Sequence, residues 1–425
     1  MTHIEQTKHR HRRERGSAVL IMLTIIGLGA AFMLVSALNK ANSQIERDKI
    51  TTAALAQAKE ALIGWSSARG DIAGNPRPGE LPCPDTNAPG SANYGTEAGA
   101  CLAGRIGRLP WKTLGIEEPK DGYGETLWYA IDGSFRKRNS NSLPINSDTR
   151  ATMQIYDHDG ATLLTPPGYE AVAIIFSPGA ILATQLRGAG QQTTASNYLD
   201  NTGPPTIPTP RNNATINGPF IQGPVKDASG NVVVNDRLLV IAARDLMPVI
   251  EKRVAKELKT LLGNYYSANS SKYPNPAAYN DPDCRDVGTS GYFTACPSPS
   301  YPAQCRGRVP EAALSSAPGW FTYNLWGQVI YYAVGTSYLA AVPANCGANL
   351  TVNGIAGTKG LFIMPGTPKG AIVRNAPNQS IILGDYLEDA TNQDGWTAIP
   401  PNTQANADSY LTPSASSNDT MHILP

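Results

Sequence analysis

Residues 17–38 read SAVLIMLTIIGLGAAFMLVSAL, a run of 22 amino acids without a charged side chain. A helix that crosses the hydrocarbon core of a bilayer needs about 20 apolar residues, so this run is long enough for one crossing. Residues 1–16 contain five lysines and arginines against two glutamates. Because basic residues beside a spanning segment favour the cytoplasmic side, the pattern predicts a cytoplasmic N-terminus and an exported remainder.

This apolar run fits three kinds of N-terminal segment. A secretory signal peptide has an apolar core of only about 7–15 residues before a cleavage site made of small residues. Val35-Ser36-Ala37 would serve as such a site, although the core here is longer. A plain uncleaved anchor also fits the length. A third interpretation explains the residues on both sides of the run as well.

The helical pattern continues past the apolar run. Residues 39–68 contain no proline, and their first glycine is Gly64. Their apolar residues recur mostly three to five positions apart, which places them on one face of a helix. These residues are Ile45, Ile50, Ala54, Leu55, Ala58, Leu62 and Ile63. The sequence therefore predicts one helix of about 50 residues, apolar in its first part and amphipathic in its second.

A basic leader that ends in glycine and is followed by a small residue and a long apolar helix resembles the type IV prepilin family. That family includes the pilins and the pseudopilins of type II secretion systems. In it, a membrane peptidase cleaves after the glycine and methylates the new N-terminal amine. The resemblance covers residues 10–38 well and implies cleavage between Gly16 and Ser17, with Ser17 as the methylated residue.

One position departs from the family pattern. Most filament-forming members carry glutamate at the fifth mature position, where this chain has Ile21. In the family that carboxylate is thought to neutralise the N-terminal amine of a neighbouring subunit, since a bare charge in an apolar bundle is costly. Members without the acid, such as the large K-type minor pseudopilin, are minor subunits at or near the filament tip. The resemblance therefore implies a minor subunit, while an anchor that never assembles would explain Ile21 equally simply.

Composition argues against an enzyme and against a nucleic-acid-binding protein. The 425 residues include 40 glycines and 34 prolines, and charged residues make up 16% of the chain, with a formal net charge of +1. Nucleic-acid binders usually carry a basic patch on a folded domain, and the basic surplus here is confined to residues 1–16. Only His158 and His422 of the five histidines lie beyond residue 11. They do not readily supply a Ser-His-Asp triad or a zinc site, and no GxSxG motif occurs.

The exported part contains an internal repeat. Six pairs of segments match in the same order along the chain, although each match alone is weak. The pairs are 62–68 with 261–268, 107–110 with 307–310, 124–131 with 327–334, 177–180 with 364–367, 197–200 with 385–388, and 235–236 with 418–419. The order of the matches predicts a tandem duplication.

The repeat predicts an α+β fold with a domain order. Residues 1–16 form the leader and 17–68 the membrane-spanning and amphipathic helix. Two tandem headpieces follow, 69–245 and 246–425, each a helix packed on an antiparallel sheet, which is the pilin-like plan that the resemblance implies. The second helix is predicted to begin with Asp245 as its N-cap. Predicted strands are 127–131, 171–176 and 238–242, then 329–334, 361–364, 380–383 and 421–424.

All six cysteines follow the apolar run. An even number of cysteines in an exported chain indicates disulfides, because that compartment is oxidising. Cys83 and Cys101 form the only pair within the first repeat. Four cysteines of the second repeat allow three pairings, between which the sequence does not decide: Cys284, Cys296, Cys305 and Cys346. No CxxC spacing occurs, which disfavours a zinc site.

A group of carboxylates near the C-terminus is the one candidate metal site. Asp385, Glu388, Asp389 and Asp394 lie close together in a predicted loop, and carboxylate oxygens are the ligands that calcium prefers. Some pseudopilins bind calcium in such a loop. The group is therefore a weak candidate for calcium, and no other cofactor is expected.

The sequence thus predicts a non-enzymatic minor subunit of a type IV filament, either a pilus or a type II secretion pseudopilus. The expected partners are the prepilin peptidase, other pilin or pseudopilin subunits, the inner-membrane assembly platform and the membrane itself through residues 17–38. Its expected location is the bacterial inner membrane, with periplasmic headpieces that assemble at or near the filament tip. The alternative is an inner-membrane-anchored binding protein or adhesin that does not assemble.

Overall fold

A computed structural model describes the backbone of most of the chain. The described residues are 10–69, 77–99, 101, 106–137, 144–202, 210–277, 305–310, 313–342, 346, 349–370, 372, 374, 383–393, 408–414 and 417–425. Side chains are described from Met22 onward, except that of Ile25. Cys284, Cys296 and Asp394 lie outside the described residues.

The N-terminal helix, α1, runs without interruption from Arg10 to Ala68. Its 59 residues include the whole apolar run and the amphipathic stretch that follows it. The second long helix, α2, spans Ala243–Ala268. The prediction that Asp245 is its N-cap is wrong by three residues. Helix α2 begins at Ala243, and the Asp245 carboxylate accepts a hydrogen bond from the Ala242 amide at 3.1 Å.

Fifteen strands lie in the described parts of the chain, and most are short. In chain order they are β1 (Ile106–Arg108), β2 (Trp128–Ile131), β3 (Ile155–Tyr156), β4 (Ala171–Ser177), β5 (Phe220–Ile221), β6 (Val225–Lys226), β7 (Val232–Val234), β8 (Arg237–Ala242), β9 (Arg306–Arg308), β10 (Tyr331–Val334), β11 (Leu350–Val352), β12 (Ile355–Thr358), β13 (Gly360–Met364), β14 (Ser409–Tyr410) and β15 (Thr420–Leu424). The predicted strand 380–383 is wrong at its described residue, because Leu383 begins a 3-10 helix, Leu383–Asp385.

Two four-stranded antiparallel sheets dominate the fold, and they share one strand order. The first sheet has the order β1-β2-β4-β8, and the second has the order β9-β10-β13-β15. Neighbouring strands are antiparallel in both sheets. We call residues 39–242 the N-terminal half and residues 243–425 the C-terminal half, since each contains one long helix segment and one of these sheets.

A single apolar core joins the two halves. It contains buried residues of α1, of α2 and of both four-stranded sheets, such as Leu62, Ile175, Leu258 and Phe362. Side chains alternate across each strand, so Trp128 of the first sheet faces the opposite side and contacts Tyr198, with ring centroids 5.3 Å apart. Helices α1 and α2 pack against each other as well as against the sheets.

Candidate interaction sites

The first part of α1 exposes apolar side chains along its length. Phe32 and Met33 are each 74% exposed, and Leu38 is 55% exposed. The helix from Met22 is long and apolar enough to cross a membrane, judged by length and composition. Gly16, Ser17 and Ile21 lie within the helical backbone of α1, and their side chains are outside the described set.

Two disulfides are present among the described cysteines. Cys83 bonds to Cys101, with a Cα–Cα distance of 5.5 Å. Cys305 bonds to Cys346, with a Cα–Cα distance of 5.9 Å. The second bond excludes the two pairings in which Cys305 or Cys346 takes another partner. Both bonds suit an oxidising compartment.

Several of the repeated segments meet in one polar cluster in the N-terminal half. Gly179 takes a left-handed conformation with φ of 64° in the turn after β4. The Asn235 side-chain amide donates to the Ala180 carbonyl in that turn at 2.6 Å. The Asn235 backbone amide donates to Asp200 at 2.7 Å, and the Asp200 amide donates to Asp236 at 2.8 Å. Short polar segments thus tie three loops at one end of the sheet together.

The C-terminal half contains the same set of contacts. Gly366 has φ of 63°, and the Asn418 side chain donates to the Thr367 carbonyl at 2.6 Å. The Asn418 amide donates to Glu388 at 3.1 Å, and the Glu388 amide donates to Asp419 at 3.0 Å. The three C-terminal repeated segments therefore occupy matching places and make matching hydrogen bonds.

Each cluster also holds one buried arginine that the sequence comparison missed. Arg187 donates to the Gly179 carbonyl at 2.8 Å and stacks over Tyr198 at 5.3 Å. Arg374 donates to the Gly366 carbonyl, also at 2.8 Å, and stacks over Tyr386 at 4.8 Å. The only sequence signal for this pair was the tyrosine of the 197–200 and 385–388 match, since the loops that carry the arginines are not otherwise similar.

The two arginines differ in their carboxylate partner. Arg187 pairs with Glu125 of its own half at 3.2 Å. The residue that matches Glu125 in the C-terminal half is Gln328, which is neutral and buried. Arg374 instead pairs at 3.5 Å with Asp148, which belongs to the N-terminal half. A carboxylate from one half therefore neutralises the buried cation of the other.

Burial raises the pKa of the carboxyl groups in both clusters. In the N-terminal half burial raises the pKa of Asp200 to about 6. Burial, together with the nearby Asp200 charge, raises the pKa of Asp236 well above its usual value. A pair of coupled carboxyl groups is the arrangement that acid–base catalysts use. Asp200 and Asp236 are 4% and 0% exposed, and each accepts a backbone amide hydrogen bond within the cluster.

Around Arg374, burial raises the pKa of three carboxyl groups, Asp148 of the N-terminal half and Glu251 and Asp419 of the C-terminal half. The pKa of Asp148 is raised to about 6, and the pKa values of Glu251 and Asp419 are raised to about 7. The Arg374 charge opposes the shift of each of the three. These groups therefore hold protons more tightly in the folded chain than in the unfolded one.

A cleft of about 360 Å³ opens beside the N-terminal cluster. One wall is the part of α1 just beyond the apolar run, and the other is formed by the turns at the end of the first sheet. Its lining residues are Gln44, Asp48, Thr51, Tyr123, Ser177, Gly179, Ala180, Gly223, Pro224, Asn235 and Arg237. We call it the N-terminal cleft. Asp48 and Arg237 pair across it at 3.1 Å, so its two charged groups neutralise each other.

Two of the candidate calcium carboxylates, Glu388 and Asp389, make contacts within the protein. Glu388 pairs with Lys369 at 2.6 Å and accepts the Asn418 amide. Asp389 accepts the Thr391 amide at 2.8 Å. Among the described residues, no three His, Cys, Asp or Glu side chains are grouped so that they could hold a metal ion. Asp394 belongs to the part of the loop that is not described.

No protein-family model, no curated protein and no solved structure matches this chain. Its class therefore rests on its own geometry. That geometry is an α+β fold with one long apolar N-terminal helix and several antiparallel sheets.

Proposed function

We propose that this chain is a non-enzymatic minor subunit of a type IV filament, from a pilus or a type II secretion pseudopilus. The observation that carries the proposal is that the two parts of α1 lie in two different environments. Its first part exposes apolar side chains between Met22 and Leu38, and its second part, from Thr51 to Leu62, packs under an antiparallel sheet. One rigid helix with these two environments can be stored in a membrane and later packed in a filament.

The exported part is proposed to consist of two tandem pilin-like headpieces, approximately 69–245 and 246–425. The shared strand order of the two main sheets and the repeated hydrogen bonds around Gly179 and Gly366 support this duplication. The two disulfides support a periplasmic location for the headpieces. The basic residues before the helix support a cytoplasmic N-terminus.

The proposed partners are a prepilin peptidase, other pilin or pseudopilin subunits and the inner-membrane assembly platform. Ile21 in place of the family's acid supports a position at or near the tip, where no further subunit needs that carboxylate. If so, deletion of the protein should reduce filament initiation more than filament length. Labelling found evenly along filaments would contradict the tip position.

The experiment that tests filament membership is the intact mass of the mature chain purified from membranes. We expect a chain that begins at Ser17 and carries one added methyl group. Gly16→Leu is expected to leave the leader attached, while Ile21→Glu should still be cleaved and methylated. A chain that begins near Leu38 would identify a secreted protein, and an intact Met1 or Thr2 would identify an anchored binding protein or adhesin. Either result would remove the filament proposal.

A further inference from the structure

The turn after β4 exposes two large apolar side chains. We call residues 178–187 the first-sheet turn. Ile181 is 59% exposed and Leu186 is 69% exposed. Arg187 is the only charged residue in the stretch 178–199, and its side chain is buried. The turn therefore presents apolar and uncharged polar groups to its surroundings.

Polar contacts hold the backbone of the first-sheet turn. Gln185 is buried, and its side-chain amide donates to the Tyr198 carbonyl at 2.9 Å. Arg187 donates to the Gly179 carbonyl at 2.8 Å. The buried polar side chains of the turn thus fix its shape, while its two large apolar side chains remain outside. Their exposure is a property of the folded turn.

The first-sheet turn lies at the end of the first sheet that is nearer the apolar run of α1. Strand β8 runs along α1 in the same direction, because Arg237 at its beginning pairs with Asp48 at 3.1 Å, and the Val240 carbonyl accepts a hydrogen bond from Lys59 at 3.0 Å. Strand β4 is antiparallel to β8 and ends at Ser177, opposite Arg237. The chain therefore leaves β4 toward the apolar run.

Helix geometry places this end of the sheet close to the membrane. Gln44 of α1 and Ala180 of the first-sheet turn line the same cleft. Gln44 follows Leu38, the last residue of the apolar run, by six residues. At a rise of about 1.5 Å per residue the distance is about 9 Å. Lipid headgroups extend about 5–8 Å beyond the hydrocarbon core on each side. Ile181, the neighbour of Ala180, is therefore within reach of the headgroups.

A second turn at this end of the sheet, residues 121–125, has the chemistry of a membrane interface. Tyr123 is exposed, and its hydroxyl donates to Gln44 at 3.2 Å. Arg47 stacks over the Tyr123 ring at 4.9 Å. Tyrosine is enriched where membrane proteins meet the headgroups, and basic side chains are attracted to anionic lipids. Both turns beside this part of α1 therefore suit contact with a bilayer surface.

The C-terminal half lies farther from the apolar run. Asp245 in the first turn of α2 pairs with Lys59 at 2.9 Å, and Arg253 donates to the Ser67 carbonyl at 2.6 Å. Helix α2 therefore runs in the same direction as α1 and begins beside Lys59, which is 21 residues beyond Leu38.

The matching turn of that distant half, the turn after β13, has a charged surface. Lys369 is exposed there and pairs with Glu388 at 2.6 Å. Of the two matching turns, the one near the apolar run thus exposes large apolar side chains, and the distant one exposes a charged pair. This difference is the one expected if only the nearer turn meets lipid.

We propose that the first-sheet turn rests on the bilayer and inserts Ile181 and Leu186 among the lipids of the leaflet that faces the headpieces. The contact is continuous with the membrane crossing of α1. Because the turn exposes no charged side chain, its insertion does not require a charge to be removed from water. A second membrane contact beside α1 would fix the orientation of the N-terminal half, which one crossing helix leaves free to rotate. This inference rests on the proposed function and names lipid as a partner of the subunit while it is stored in the membrane.

The test places a photo-crosslinker on the first-sheet turn of the full chain, purified from membranes and reconstituted in vesicles of phosphatidylethanolamine and phosphatidylglycerol. Leu186→p-benzoylphenylalanine is suited to this use because Leu186 is exposed. After irradiation, mass spectrometry identifies the adduct, and we expect a lipid adduct at residue 186. Ile355→p-benzoylphenylalanine, on β12 of the C-terminal half, is the matched control. Ile355 is 72% exposed, and this variant should give no lipid adduct.

A second variant separates apolar insertion from mere proximity to the membrane. Ile181→Glu places a charge on the turn, and we expect it to lower the yield of the lipid adduct at residue 186 by about tenfold. Burial of one large aliphatic side chain shifts an equilibrium by about that factor. Val342→Glu adds the same charge at an exposed position of the C-terminal half and should leave the yield unchanged. Both variants should unfold in urea at the wild-type midpoint, because both positions are exposed.

Other outcomes would overturn the inference. An adduct of residue 186 with a second copy of this chain would contradict it, as would equal lipid adducts at residues 186 and 355 or a yield unaffected by Ile181→Glu. The mass of the N-terminus in the same preparation separates this failure from failure of the proposed function. A methylated Ser17 without the lipid adduct would refute the membrane contact and leave filament membership standing. A lipid adduct on a chain that retains Met1 or Thr2 would support the contact and remove the filament.

Discussion

The N-terminal and C-terminal halves have one plan and complete it differently. In the N-terminal half the buried arginine has its carboxylate, Glu125, within the same half. In the C-terminal half Gln328 stands at the matching position, and Asp148 of the other half supplies the charge. The C-terminal half therefore depends on the N-terminal half for the charge partner of Arg374, and the two halves share one apolar core.

The halves also differ in how their disulfides close the chain, and this difference has the largest expected effect. Cys305 and Cys346 are 41 residues apart, while Cys83 and Cys101 are 18 apart. A disulfide that closes a longer loop restricts the unfolded chain more. Replacing Cys305 and Cys346 by serine should lower the free energy of unfolding by about 4 kcal/mol, and replacing Cys83 and Cys101 by about 3 kcal/mol.

Urea unfolding of the detergent-solubilised double variants measures both values. Because the halves share a core, each variant should still unfold in a single transition, with far-UV circular dichroism and tryptophan fluorescence changing together. Two separate unfolding transitions, of which only one shifts to lower urea concentration in each variant, would show that the halves unfold independently and would contradict the shared core.

The sequence was sufficient for the framework of both halves. The uninterrupted pattern of residues 17–68 predicts α1, because length and helical periodicity are local properties. The matches of 177–180 with 364–367 and of 235–236 with 418–419 were visible because their hydrogen-bonding roles require particular residues. Gly179 and Gly366 both need positive φ, and Asn235 and Asn418 both reach a turn carbonyl.

The contacts between the halves were not predictable in the same way. Asp148 lies in a loop with no motif, and its partner Arg374 is more than 200 residues away. A comparison of the repeats finds residues that the two halves share. The Asp148–Arg374 pair lies instead where the halves differ, since Glu125 of the N-terminal half is replaced by Gln328 in the C-terminal half. The N-terminal cleft was missed for the same reason, since an unfilled space leaves no residue pattern.

The pH dependence of stability tests a second difference between the halves, a buried carboxyl group on α2 where α1 has a hydroxyl group. When α1 and α2 are aligned by their buried positions, one residue away from the sequence match of Leu62 with Leu261, Thr51 in the N-terminal half corresponds to Glu251. Burial raises the pKa of Glu251 from 4.5 to about 7. Because the folded chain holds this proton more tightly, the stabilisation is complete below pH 4.5 and is lost as the pH rises through 7. Glu251→Gln stays neutral at every pH, and its amide oxygen can still accept the Ser147 hydrogen bond.

Glu251→Gln should therefore reduce the loss of unfolding free energy between pH 5 and pH 8 by about 2.5 kcal/mol. Urea unfolding at the two pH values measures the change. Glu257→Gln on the same helix is the control and should leave the pH dependence as it is. An equal loss in wild type and Glu251→Gln would mean that Glu251 is charged in the folded chain at neutral pH.

The edge strands of the two sheets, β8 and β15, differ in the side chains that contact them, and this difference has the smallest expected effect on stability. On β8 the Leu238 amide donates to Gln222 at 3.1 Å, and Lys59 donates to the Val240 carbonyl at 3.0 Å. Lys59 also pairs with Asp245 at 2.9 Å. At the matching edge strand, β15, Tyr273 donates to the Pro425 carbonyl directly after the strand at 3.0 Å. Lys259, which matches Lys59, lies near His422 and contributes, after burial, to lowering the pKa of that histidine.

Lys59→Met should therefore destabilise the protein by about 1 kcal/mol, because it removes a hydrogen bond and a partly exposed ion pair while keeping the apolar part of the side chain. Lys259→Met should change stability by less than about 0.5 kcal/mol, as expected for an exposed side chain without such contacts. Parallel urea titrations of the two variants give both values. Equal losses of unfolding free energy in the two variants would mean that the Lys59 contacts with the Val240 carbonyl and Asp245 add nothing to the effect of a positive charge on the helix. A loss confined to Lys59→Met would show that the Lys59 contacts with the Val240 carbonyl and Asp245 stabilise the edge of the first sheet, while Lys259 has no such role at the edge of the second.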